Sequence, residues 1–173
     1  PELARHLSEI ARLARPSPMI TIPAGTFLLG SNRVDNDPYG NRTQFDDTEL
    51  PQHRVWLDTY EMNRDEVSLG EYVAFLQKQK RHPPDKLQKL LWHVITVHFV
   101  SDQTLTRWPA LYVTWAEAND LCVAKHARLP TEAEWEKAAR GSEGIPYPWG
   151  EASPSSTLAM FGQHHVHEIP ILA

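Results

Sequence analysis

A chain of 173 residues with 41% hydrophobic and 23% charged residues has the size and composition of one globular domain with an ordinary core. Its formal net charge of −5 and the lack of any long basic run exclude the electrostatic footprint of a nucleic-acid binder. No apolar run approaches the roughly 18 residues that would cross a bilayer, so no transmembrane segment is expected.

The first residues place Leu3, Leu7, Ile10 and Leu13 at helical spacing, with Arg5, Glu9, Arg12 and Arg15 on other faces, before Pro16 and Pro18 end the pattern. These charges also rule out a signal-peptide core. A start at Pro1 fits a processed or trimmed precursor. The apolar stripe suits the domain's own surface and a partner's equally well. Met19 to Ile22 reads as a strand, is broken by Pro23-Ala24-Gly25, and resumes over Thr26 to Leu29 up to Gly30.

The polar stretch from Asn32 to Glu49 reads as a surface loop. Within it Asp35, Asp37, Gly40 and Asp46 fall at the first, third, sixth and twelfth places of a calcium-loop pattern. Tyr39 at a ligand place, the stiff Pro38 and the lack of flanking helices weigh against calcium there. Val55 to Leu57 and Tyr60 to Met62 form a second pair of strands. Ser68 and Glu71 then match a capping box, which predicts a helix carrying Tyr72, Phe75 and Leu76 on one face and fading between Lys78 and Pro84.

Between Lys86 and Arg107 the longest apolar run extends from Leu91 to Val100. His93 and His98 lie in it, five residues apart. That spacing puts them on opposite faces of a strand and far apart around a helix, so a shared ion is not expected. The segment is instead expected to offer a partner-binding surface. Two more capping boxes, Thr114 with Glu117 and Thr131 with Glu134, each predict a helix of about three turns. Cys122, the only cysteine, sits in the first of these as an apolar thiol. Three capped helices among short strands give an α+β fold class. Glu151 to Thr157 is a Ser/Pro-rich loop. Near the end His164, His165 and His167 cluster with Glu168, a ligand set suited to zinc, copper or nickel, with a polar surface segment as the plainer reading.

Several ordered strings identify a relationship. RLPTEAEWEKAARG from Arg128 to Gly141 and YPWG from Tyr147 to Gly150 are the most specific. IPAGTFLLGS from Ile22, PQHRVWL from Pro51, DEVSLGEY from Asp65 and PALYVTW from Pro109 precede them in order. Together they resemble the signature of the formylglycine-generating enzyme family, also called sulfatase-modifying-factor domains. The resemblance implies a variant of the C-type-lectin-like fold, with Arg128, Pro130, Thr131, Glu134, Trp135, Arg140 and Trp149 as structural motif residues. Trp115, Trp135 and Trp149 are expected in the core, and Arg140 in an architectural pair with a carboxylate. It also implies a division into an N-terminal helix and linker, 1–18, and a domain, 19–173, in which 86–107 diverges and the C-terminal part of the family pattern is missing.

Active members of this family bind copper through two cysteines that follow the matching region, and Cys122 alone does not supply two soft ligands. Structural calcium in the family begins at an Ala-Asn step after YPWG. Here the step is Ala159-Met160, and a thioether is a poor ligand for calcium. The family's iron-dependent sulfoxide synthases use a different histidine spacing from that of His164, His165 and His167. The expected role is therefore a non-catalytic structural or accessory module of a larger, extracytoplasmic assembly. Its expected partners are other protein subunits or the missing half of the domain. Two alternatives are a copper-dependent oxidase whose cysteine-bearing half lies outside this chain and a lectin-like ligand binder.

Overall fold

The computed structural model describes residues 2–31 and 50–159. Within them the chain runs α1 (Glu2–Arg12), β1 (Met19–Ile22), β2 (Gly25–Leu29), β3 (His53–Leu57), β4 (Tyr60–Asn63), α2 (Leu69–Lys78), α3 (Asp85–Thr96), α4 (Asp102–Leu105), α5 (Trp115–Ala124) and α6 (Glu132–Arg140). Helices and short antiparallel strands thus mix along one chain, as the α+β reading expects. The contacts separate into two compact units, Pro1–Ala24 with Asp58–Thr131 and Gly25–Leu57 with Glu132–Ala173.

In the first unit β1 pairs antiparallel with β4, from Met19 opposite Asn63 to Ile22 opposite Tyr60. The core is helical: Ile10, Leu69, Tyr72, Val73, Leu76, Leu87, Leu91 and Leu105 are all essentially inaccessible. Each such side chain contributes on the order of 1.5–3 kcal/mol through burial. α1 packs on α2 and α4, so its apolar stripe is covered by its own unit. The Thr106 hydroxyl donates to the Ile10 carbonyl at 2.8 Å, and His6 Nδ1 meets Asp102 Oδ1 at 2.7 Å.

Gly70 explains how closely these pieces approach. A Cβ there would collide with Thr106 Oγ1 and lie 3.0 Å from the Ala14 Cβ. The small residue lets the backbones meet, and the Gly70 N–H donates to the Thr106 carbonyl at 3.1 Å.

The apolar run Leu91 to Val100 is helical as far as Thr96 and buries Leu91 and Val94. Phe99 then takes a left-handed φ of 52° and is 85% exposed. This reversal is anchored at both ends. Val97 N–H donates to the His93 carbonyl at 2.8 Å, and Val100 N–H to the Val94 carbonyl at 3.1 Å.

In the second unit β2 pairs antiparallel with β3, from Gly25 opposite Leu57 to Leu29 opposite His53. The expected second pair of strands, β3 and β4, therefore forms, but its members bond to β2 and β1 and not to each other. Phe27 in β2 is fully buried, and α6 packs against that strand.

Candidate functional site

Two polar clusters were built from the family-like motifs, one in each unit. In the first unit the capping boxes predicted at Ser68 and Thr114 form. The Ser68 hydroxyl accepts from Glu71 N–H and the Thr114 hydroxyl from Glu117 N–H, while each glutamate reaches back to its cap. One oxygen per glutamate suffices for that task, and the other is spent elsewhere. Glu71 Oε1 accepts from Lys125 Nζ at 2.8 Å. Glu117 Oε1 accepts from the Tyr72 hydroxyl at 3.3 Å and from Arg81 Nη2 at 3.2 Å, and Arg81 also reaches Asp120.

The electrostatics follow from this geometry. Glu117 is held below the usual carboxylate range, chiefly by the Thr114 backbone N–H and then by its hydroxyl. Burial, reinforced by the Glu117 charge, pushes the Tyr72 phenol up to about 12. A shallow groove lined by Phe75, Gln79, Arg81, Asp120, Val123 and Ala124 runs beside this cluster. Its one cation already bonds two carboxylates, so the groove presents a satisfied network. Cys122 on α5 is half-buried, and burial pushes its thiol above the ordinary value. It is a poor thiolate and a poor nucleophile at neutral pH.

In the second unit Arg140 is the hub. Its guanidinium donates to the carbonyls of Gly30 at 3.1 Å, Gly144 at 2.9 Å and Ile145 at 3.0 Å, and to Glu136 Oε1 at 2.6 Å. The same Glu136 oxygen accepts from Gly30 N–H at 2.8 Å. The expected architectural pair of Arg140 with a carboxylate is thus present, and it ties the end of β2 to the turn after α6. The planar fork of donors is what allows one side chain to serve four acceptors. Lys137 adds a bond to the Gly25 carbonyl at 3.1 Å.

The remaining motif residues are scattered. Arg128 is exposed and bonds the neighbouring Leu129 carbonyl at 3.1 Å, Pro130 is exposed, and Thr131 directly precedes the start of α6. Glu134 is buried together with Lys137. Trp149 stacks on Tyr147 with centroids 5.0 Å apart and donates to the Ala152 carbonyl at 2.9 Å.

The expected core role of Trp115 and Trp135 fails. Trp115 is 73% exposed and Trp135 is 61% exposed. On α6 the inward face is polar, because backbone carbonyls and N–H groups at the ends of β2 need charged partners there. On α5 only Leu121 is buried, so Trp115 opens the helix on an uncovered side.

Among the described residues no group of three His, Cys, Asp or Glu side chains lies close enough to hold a metal ion. Asp35, Asp37 and Asp46, and likewise His164, His165, His167 and the Met160 of the calcium step, lie outside the described residues. The donor set does not fit a dithiolate copper centre: the chain has one cysteine, and its thiol is disfavoured from ionising. His93 and His98 behave differently from the sequence reading. Their rings meet edge to face with centroids 5.2 Å apart, because the chain reverses after Thr96 and no single helix or strand joins them.

Sequence reasoning missed Glu136 and Arg81. Glu136 carried a usable signal, its i,i+4 spacing to Arg140. Arg81 carried none, since its partners come from α5.

The comparisons with known proteins agree on one family. Residues 5–169 match the family described as the Sulfatase-modifying factor enzyme 1-like domain. The chain is 28% identical to the formylglycine-generating enzyme of Bos taurus over 189 residues, covering 88% of this chain and 47% of that protein. It is 29% identical to the hercynine oxygenase of Mycolicibacterium smegmatis, over 83% of this chain and 37% of that protein. It is 25% identical to the inactive C-alpha-formylglycine-generating enzyme 2 of Mus musculus, over 79% of this chain and 52% of that protein. The chain therefore spans about half the length, or less, of these relatives.

Proposed function

The chain belongs to the Sulfatase-modifying factor enzyme 1-like domain family, and on that premise we propose that these residues act as a non-catalytic scaffold module within a larger assembly. One observation carries the reading. The family-like motifs are committed to holding the fold through Glu71, Glu117, Glu136 and Arg140, while the sole cysteine is a half-buried thiol that burial disfavours from ionising.

The relatives that match include both a formylglycine-generating enzyme and an inactive C-alpha-formylglycine-generating enzyme 2, so membership alone does not assign activity. A C-type-lectin-like fold and an extracytoplasmic place of action are parts of the same proposal and rest on the family resemblance. The structure adds that no described helix is long and apolar enough to cross a membrane.

The test combines two measurements on the gene product. Incubation with copper and a cysteine-bearing sulfatase peptide should leave the peptide mass unchanged, and light scattering with crosslinking should show a defined complex with another polypeptide. Conversion of the peptide cysteine would refute the non-catalytic reading. A lone monomer would refute the scaffold role.

The match to a formylglycine-generating enzyme favours one second reading, a formylglycine-generating activity, for which the family resemblance implies copper and a cysteine pair outside these residues. Stoichiometric copper on a gene product that carries such a pair would support it.

A further inference from the structure

We propose that His93 and His98 form a surface binding site for a borderline transition-metal ion of the zinc, nickel or copper(II) class, with water completing the coordination shell. Imidazole nitrogen is the ligand these ions share.

The separation of the rings is the first argument. A tetrahedral ion bonded at about 2.0–2.1 Å to one nitrogen of each of two imidazoles sets the ring centroids about 5 Å apart. Here they are 5.2 Å apart. The present edge-to-face angle of 76° is a matter of side-chain rotation. The terminal torsion of histidine is broad, and both rings are exposed, so a modest turn brings both nitrogens to one point.

Preorganisation is the second argument. The backbone that carries the two residues is closed by hydrogen bonds on either side of His98. His93 stands in the last turn of α3, and its own carbonyl accepts from Val97 N–H at 2.8 Å. On the far side of His98, Val100 is buried and bonds back to Val94 at 3.1 Å. Phe99 adopts φ of 52° between them, a conformation that turns the chain back towards α3. His98 is therefore held in a short closed loop facing His93. Among the described residues neither ring takes part in a hydrogen bond, so what gives way to an ion is their mutual edge-to-face contact.

The experiment must separate this site from His164, His165 and His167, which offer metal ligands of their own. Zinc is titrated by calorimetry into the chain carrying H164A, H165A and H167A, and nickel-induced line broadening of the imidazole resonances is followed by NMR. One zinc per chain is expected, with broadening confined to His93 and His98. In that background H93A or H98A should weaken zinc binding by about tenfold or more, because a single imidazole keeps one of two metal bonds. Both substitutions fall on exposed side chains, and a circular dichroism melt checks that the fold is intact. No zinc binding in the tail variant, or zinc binding unchanged by H93A and H98A, overturns the proposal.

Discussion

Tyr72 donates its hydroxyl to Glu117 Oε1 across 3.3 Å, which joins the first turn of α2 to the first turn of α5 inside one unit. Removing that hydroxyl by Tyr72→Phe should cost about 0.5–1.5 kcal/mol at neutral pH. The pH dependence has a definite sign. The native phenol is raised from 10.0 to about 12, so above pH 10 the unfolded chain releases a proton that the native state retains. Stability from this group is complete below pH 10 and is lost as pH rises towards 12. Urea midpoints from pH 8 upward should fall less steeply in the phenylalanine variant than in the parent. Identical slopes would show that Tyr72 is not shielded.

Glu117 predicts the opposite limb. Its carboxyl is lowered from 4.5 by the Thr114 backbone and hydroxyl, so its contribution is present above pH 4.5 and disappears as the solution is acidified through the native value. Thr114→Ala, which removes the hydroxyl half of the cap, should destabilise by about 0.5–2 kcal/mol at pH 7 and flatten the acid limb. Denaturant titrations between pH 3 and 7 provide the comparison.

Gly70→Ala should destabilise the first unit by about 1–3 kcal/mol, because the new methyl meets Thr106 Oγ1 and the Thr106 carbonyl. Gly70→Ala combined with Thr106→Ser leaves the same hydroxyl in place, so it should recover little. Thermal melts distinguish the outcomes, and a neutral G70A would mean that α2 and the 106–110 segment are further apart than described.

Arg140→Lys retains charge and loses the fork. A lysine cannot serve Gly30, Gly144, Ile145 and Glu136 together, so a loss of about 1.5–3 kcal/mol is expected. Amide exchange should quicken first at Gly30 and Ile145. A variant as stable as the parent would show the network to be ornamental.

Cys122 should alkylate at pH 7 more slowly than a free cysteine, since burial disfavours its thiolate, and should reach the free rate once the chain is unfolded in urea. Cys122→Ala should leave the melting curve nearly unchanged. Rapid native-state labelling would contradict the half-buried, un-ionised thiol on which the scaffold reading rests.

The sequence by itself determined the α+β mixture, the starts of α2 and α5, the stop after α1 and the family. These are local matters: a cap places its acceptor three residues from its donor, and a proline ends a helix wherever it falls. The motif strings were equally legible, because they are read as order along the chain. Tertiary structure decided everything that depends on which face is covered. Trp115 and Trp135 look like core residues as large aromatics, yet α6 turns Glu134 and Lys137 inward, Lys137 bonding the Gly25 carbonyl at the start of β2, and α5 buries only Leu121. The meeting of His93 and His98 was likewise invisible. No proline or glycine marks the end of α3, and a left-handed Phe99 reverses the chain where the residue type alone predicts continuation.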